Sequence, residues 1–342
     1  MNIQQLFSNS FKSEDGSYSN SFTSQDLKII QENKLFKCFL PKHMGGLEMN
    51  LFQTLEVIEQ CAFVNGSLGW MIQIGNGGNY FITNIKKEVA EELFTPDNAV
   101  LTGSGTPTGI AKPVNGGYEI SGISRCSSGS EYATLFTATV YIENSEEVIS
   151  AIIPRSEVQV IDDWNSMGMR LTSTNTTKFD KVFVPHERIF KTSERISYLN
   201  IPILDLPFVI YAQAFFIHVI YGLLQRFIAT ANEIFEEKGV FWKEQKPERY
   251  AAIKQMINAG NALLNSSKQL TNSQFRSIEN EALADEQFHE EVRISVVAHC
   301  KKIKQFVHDS FPQFGMDVLN RNHVMNVVYS DMITICQHGL LN

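Results

Sequence analysis

The spacing of apolar residues changes twice along the chain. It is helical up to about residue 97, alternating between about 98 and 188, and helical again from about 192 onward. In the first part, Ser24 stands where it can cap QDLKIIQENKL, a run that ends near Phe36. Leu51 to Ala62 places Leu51, Leu55, Val57, Ile58 and Ala62 near one helix face. A further helix begins near Ser67 and runs through Trp70 and Ile74, weakened by Gly75, Gly77 and Gly78. Lys86 to Phe94 is a short amphipathic helix that Pro96 ends. The middle part predicts strands at GGYEISG, ATLFTATVYIE, VISAIIP, VQVIDDW and TTKFDKVFVP, all rich in β-branched and aromatic residues. The last part predicts helices over 205–238, 248–270, 280–311 and 315–337, an up-down bundle with short connections. The expected fold class is α+β, with an N-terminal helical domain (1–97), a central β domain (98–191) and a C-terminal four-helix bundle (192–342).

Composition narrows the choices. At 342 residues, with 43% hydrophobic and 19% charged side chains, the chain has the make-up of a soluble protein with a substantial core. Its formal net charge of -8 argues against a nucleic-acid partner, which requires clustered cations. The cysteines at 38, 61, 126, 300 and 336 are scattered and odd in number, so they read as reduced thiols of a cytoplasmic protein. The first twenty residues lack the basic start and apolar core of a secretory leader. The longest apolar stretch, Ile201 to Ala231, is interrupted by Asp205, Gln213, His218, Gln225 and Arg226; it predicts a buried bundle helix and no membrane partner. Glu286 and His289 form half of a di-iron pattern without a second half, so no metal site is expected. No phosphate-binding P-loop, nucleophile elbow or dinucleotide fingerprint is present.

Chemistry concentrates in Val100 to Ala133, where glycines alternate with small hydroxyls between short strands. Such turns bring bare backbone close to a flat ligand and surround it with donors and acceptors. They equally suit a plain β-sandwich with glycine-rich turns.

The order of helices, β domain and bundle resembles the acyl-CoA dehydrogenase superfamily, and several segments carry the likeness. LPKHMGGLEMN (Leu40 to Asn50) is similar to an "LP..YGG" turn, and NGSLGWM (Asn65 to Met71) to a small-residue approach to a tryptophan. PTGIAKPVNGGYEISG with SRCSSGSEYA resembles "P.G.A..V.GGY..SG.W.FASG...A". WNSMGMRLTSTNTTKFDKVFVP resembles "W...GMRGTGSNTV.F..VFVP", and Asp331 with Gln337-His338 has the spacing of a closing "RD......QH". The branch nearest in pattern is the flavin-dependent monooxygenases, the oxygenase components of two-component aromatic hydroxylases and the dibenzothiophene monooxygenases.

That resemblance implies an oxidoreductase that takes reduced flavin (FAD or FMN) from a separate flavin reductase and uses O₂ on a small-molecule substrate. It also implies a homotetramer, a dimer of dimers built through the bundle. By the same resemblance Ser128 stands near flavin N5 and His338 faces the reacting oxygen, as catalytic residues. Thr102, Ser104, Thr108, Gly109, Ser127, Ser128, Gly129 and Thr172 hold the cofactor. Trp70, Phe208 and Tyr211 line the substrate pocket, between the first helices and the bundle. Two bland roles compete: Ser128 bonding a neighbouring strand, and His338 capping the last helix. An acyl-CoA dehydrogenase is the alternative, and it needs a carboxylate base. No glutamate follows Glu291, and Asp205 sits where it could equally cap a helix. A non-catalytic relative with a binding or assembly role is the third reading. It draws on departures from the pattern: Ser124 and Cys126 in place of aromatics, Ser330 in place of arginine, and Gly78 where a histidine is common.

Overall fold

The structure, a computed structural model, describes residues 1–11, 18–196, 198–279 and 285–342. Among the described residues, five α-helices precede the strands: α1 (Ile3–Leu6), α2 (Ser24–Glu32), α3 (Leu51–Val64), α4 (Gly66–Gly78) and α5 (Lys87–Phe94). Thr23, one residue before the expected Ser24, caps α2. Its hydroxyl accepts the Asp26 N–H at 3.1 Å while the Asp26 carboxylate accepts the Thr23 N–H at 2.9 Å. A reciprocal box of this kind needs its first member outside the helix, and Ser24 already lies in the first turn. In α4, tertiary packing overrides the glycine penalty. A Cβ on Gly69 would lie 2.4 Å from the Ala62 Cβ of α3, so the glycine is what lets the two helices close.

Eight strands follow: β1 (Leu101–Ser104), β2 (Gly109–Val114), β3 (Gly117–Ser127), β4 (Leu135–Ile142), β5 (Val148–Pro154), β6 (Gln159–Ile161), β7 (Asn175–Pro185) and β8 (Ile189–Phe190). They form a sheet of order β6-β7-β3-β2-β4-β5-β8, with β1 parallel to β4. β1 pairs the first half of β4 (Leu101 with Leu135), and β2 pairs the end of it (Ile110 with Tyr141). The two strands thus run in tandem along one edge, and residues 105–108 bridge the gap between them.

The chain then builds α6 (Phe208–Gln245), α7 (Pro247–Glu279), α8 (Glu286–Ser310) and α9 (Val324–Ile335). Part of the expected third bundle helix, 280–284, lies outside the described residues. The expected fourth helix over 315–337 is shorter than its apolar pattern suggests. Gly315 takes φ +81°, a 3₁₀ turn covers Asp317–Leu319, and His323 caps a helix of only 12 residues. Asp205 does not cap α6; Pro207 stands at the cap position and Asp205 is exposed. α6 is long and apolar enough to cross a membrane, yet 83% of its most apolar window is buried inside the protein.

Two hydrophobic clusters result. The sheet has its own, around Phe136, Val140, Ile149, Ile153, Phe179 and Val184, while the N-terminal helices share one continuous core with the bundle. Sheet and bundle meet where the Gly168–Met169 turn sits on α9. A Cβ on Gly168 would fall 2.1 Å from the Ser330 carbonyl oxygen, and the Met169 N–H donates to the buried Asp331 carboxylate.

Burial pushes the Asp331 carboxyl up from 3.8 to about 7, against the pull of the Met169 N–H and Arg170. The folded protein therefore holds this proton more tightly than the unfolded chain, and the stability it contributes falls as pH rises from about 4 to about 7. Asp331→Asn keeps an acceptor for Met169 and removes the titration. We expect it to melt above the parent near about pH 8, with the gap closing towards about pH 4 in a thermal-melt series. A gap independent of pH would contradict this account of Asp331.

Candidate active site

The irregularity in β3 between Ser124 and Ser127 sets the site. Cys126 takes φ +60° there and stays exposed, and the chain beyond it turns inward to bury Ser127, Ser128 and Ser130. Gly129 follows at φ +79°, where a Cβ would lie 2.7 Å from the Met71 Cε of α4. Its N–H donates to the Thr172 carbonyl at 2.7 Å and locks this turn to the 3₁₀ turn Arg170–Thr172 that precedes β7.

Ser128 then enters a chain of hydroxyls whose direction is forced. Trp70 Nε1–H donates to Ser128 Oγ at 2.9 Å. Ser128 Oγ lies 2.9 Å from Thr174 Oγ1, which lies 2.6 Å from Thr172 Oγ1. Thr172 donates to the Met169 carbonyl at 2.8 Å, so its single proton is committed. Thr174 must therefore donate to Thr172, and Ser128 to Thr174. Ser128 Oγ is left with one lone pair and no proton to give.

Over this relay lies an aromatic wall. The Trp70 ring is 4.9 Å from that of Phe216 and 5.7 Å from the His338 imidazole, which is itself 4.6 Å from Phe216. His338 Nδ1 accepts the Leu340 N–H at 3.2 Å, so the neutral ring carries its proton on Nε2. Burial holds its pKa below the usual 6.5. At neutral pH the ring thus has an N–H donor and no charge. The capping expectation is half met, because His338 caps the 3₁₀ turn that follows it, Gly339–Leu341.

The structure sorts the expected cofactor residues into two groups. Thr102, Ser127, Ser128, Gly129 and Thr172 are interior: Thr102 donates to the Ser128 carbonyl, and Ser127 Oγ lies 3.1 Å from Thr177 Oγ1. Ser104, Thr108 and Gly109 form an open edge where the chain crosses from β1 to β2. Thr108 Oγ1 lies 3.1 Å from Ser124 Oγ, and a Cβ on Gly105 would meet nothing within 4 Å. Of the expected substrate residues, Trp70 is at the centre. Tyr211 is not: it is fully enclosed, with its hydroxyl donating to the Asn76 carbonyl at 2.7 Å. Phe208 packs on Tyr80 and Phe81, two helical turns from Phe216. Thr174 and Phe216 complete the site. Both were legible in sequence, Thr174 as a hydroxyl of the GMRLTST stretch and Phe216 as the end of the Phe208 to Phe216 stretch expected to line the pocket, though neither stood out there as an individual site residue.

A flavin suits this arrangement on two counts. The open, glycine-bearing edge offers backbone and hydroxyl groups to ring carbonyls and a phosphate tail. The inner serine offers an acceptor. Of the carboxylates weighed as a dehydrogenase base, Asp205 is exposed on the outside, and Asp331 is bound to the Met169 N–H.

The order of N-terminal helices, mostly antiparallel sheet and C-terminal bundle is the acyl-CoA dehydrogenase-like α+β fold. The solved structure of XiaF from Streptomyces sp., in complex with FADH2 and glycerol, superposes with a TM-score of 0.86 at 17% identity, covering 99% of this chain and 90% of that one. Sequence relatives include a hydroxylase and the oxygenase subunit of a flavin-dependent monooxygenase. The chain is 31% identical over 196 residues to a pigment production hydroxylase from Rhodococcus sp., covering 54% of this chain and 51% of that protein. It is 28% identical over 167 residues to the flavin-dependent monooxygenase oxygenase subunit HsaA of Rhodococcus jostii, covering 48% and 44%. These matches span about half the length of the curated relatives. No protein-family model matches the chain.

Two outcomes follow from the geometry. Ser128→Ala strands the buried Trp70 N–H and is expected to cost about 1–3 kcal/mol in urea unfolding with no ligand added; unchanged stability would break the relay. The His338 imidazole, followed by NMR, is expected to titrate below 6.5.

Proposed function

We propose that this protein is the oxygenase component of a two-component flavin monooxygenase. It receives reduced flavin from a separate reductase and places one atom of O₂ into a small aromatic substrate. The relatives' printed activities support the class, and the five free cysteines fit a reducing, cytoplasmic setting.

The observation that carries the reading is the direction of the relay. Ser128 Oγ can only accept, so its partner has to donate. Reduced flavin has an N–H at N5, and oxidised flavin has a bare nitrogen there. A site wired in this sense favours the reduced form, which is the form a reductase would deliver. Reduced flavin, when bound, supplies the electrons that activate O₂. The chain's own residues do the rest. Ser104, Thr108 and Gly109 hold the flavin's edge and tail, and Thr102 and Gly129 fix the turn that presents Ser128. Trp70 and Phe216 keep water out, which protects reactive species from hydrolysis. His338 holds a proton on Nε2 for an oxygen atom. Exposed apolar residues on the bundle, Val240, Phe241, Ile294, Met316 and Leu319, support assembly into the proposed homotetramer.

The test is anaerobic titration with FMN and FAD in both redox states. Reduced flavin is expected to bind at least about tenfold more tightly than oxidised flavin, one hydrogen bond's worth of preference. Binding in neither state would leave only an assembly role, and tighter binding of the oxidised form would favour a dehydrogenase.

A further inference from the structure

Thr172 and Thr174 give their hydroxyls to the relay, whereas Ser173 between them donates to the Glu131 carboxylate at 3.1 Å. Ser173 and Glu131 line a separate polar cleft of about 380 Å³, together with Asp162, Arg170, Asn175 and Arg321. Neither the relay nor the flavin edge uses any of these six residues.

The cleft has donors to spare. Asn175 is 0% exposed, and its Oδ1 accepts the Asp163 and Trp164 N–H groups at 3.1 and 2.9 Å. Those two bonds fix the amide, because turning it over would set its NH₂ against two N–H donors. Its Nδ2 then finds no partner among the described residues. Arg170 is half-buried and Arg321 exposed, and among the described residues neither guanidinium has a hydrogen bond or an ion pair. Burial, and after it the Arg321 charge, lowers the Arg170 pKa from its ordinary value; the two cations oppose each other. The acceptors nearby are taken. Trp164 Nε1–H holds the Met169 carbonyl at 2.9 Å, and the Ser166 hydroxyl holds that of Gly168. Asp163 accepts the Thr176 N–H and hydroxyl. Asp331 takes the Met169 N–H, and burial disfavours its charge.

We propose that this cleft is a binding site for a small carboxylate, held by Arg170, Arg321 and Asn175. A planar carboxylate matches the fork of a guanidinium, and its remaining lone pairs can take the Asn175 Nδ2–H. One negative charge there relieves the repulsion between the arginines and satisfies the buried amide together. Glu131 and Asp162 set the selectivity. Their charges line the same cleft, so a dianion such as phosphate meets more repulsion than a monocarboxylate does. The site does not depend on the oxygenase reading, since it shares no residue with the flavin edge or the relay.

The experiment titrates the full-length protein, without flavin, with ¹³C-acetate, inorganic phosphate and chloride at matched ionic strength and about pH 8. Acetate is followed by its line width and the other anions by competition. Acetate is expected to bind at least about tenfold more tightly than chloride, and more tightly than phosphate. Arg321→Gln is expected to weaken acetate at least about tenfold, the worth of one charge-assisted hydrogen bond. Without ligand the variant should melt no lower than the parent, because a like-charged neighbour is gone. Equal binding of acetate and chloride, tighter binding of phosphate, undiminished acetate affinity in Arg321→Gln, or a variant melting well below the parent would overturn the proposal. So would stoichiometric displacement of acetate by FMN, which would make the cleft part of the flavin site. The parent's order of anions decides the matter if the variant does not fold.

Discussion

Everything at the seam of this molecule depends on one proton being committed. Thr172 gives its hydroxyl hydrogen to the Met169 carbonyl, and from that single fact the orientation of Thr174, Ser128 and the Trp70 indole follows. Hydrogen bonds aligned head to tail polarise one another, so the chain is stiffer than its separate links. It also joins three parts of the sequence. Trp70 comes from the N-terminal helices and the hydroxyls from the sheet. Met169 is held in turn by Asp331 of the bundle. The relay is thus both a structural strut and the device that gives Ser128 its chemical character.

The same seam explains the close backbone contacts. Gly168 against Ser330 and Gly129 against Met71 are places where a methyl group would push sheet and helices apart. If either pair separated, the Thr172 turn would slide relative to Trp70 and the 2.9 Å bond to Ser128 would open. Asp331 adds a condition of a different kind. Being buried and hydrogen-bonded to Met169, it holds the turn from the bundle side, but its charge is disfavoured there. The junction is strongest when that carboxyl is protonated.

Much of this was legible in the sequence because it depends on local pattern. The switch of period from helical to alternating and back located every long element, and the glycine-hydroxyl stretch located the turns that meet at Ser128. Where the reading slipped, the cause was tertiary. Ser24 lost the cap to Thr23 because a reciprocal box with Asp26 is better than a single bond. The last helix was shortened because its apolar pattern runs on through a segment that Gly315 and a 3₁₀ turn break. Tyr211 looked like a pocket residue because aromatic residues beside a site look alike in sequence. Only the register of α6 on α4 shows that it faces Asn76 while Phe216 faces His338. The direction of the relay was not legible at all, since it emerges from distances between residues 58 and 46 positions apart.

That register also bears on α4, a helix under two demands. It must pack tightly enough for glycine to be the only residue tolerated against α3, and it leaves space on an adjacent face. Gly69 and Gly77, two turns apart, show the two demands met by the same residue type: one has a neighbour 2.4 Å from its absent Cβ, and the other has nothing nearer than 3.7 Å. A helix selected only for stability would fill the second position, because an alanine in a helix is about 1 kcal/mol better than a glycine. Keeping Gly77 bare next to Gln73, whose Nε2 finds no partner among the described residues, runs against stability twice in one place. Structure that departs from the local optimum in two independent ways at one point is where function is expected to act.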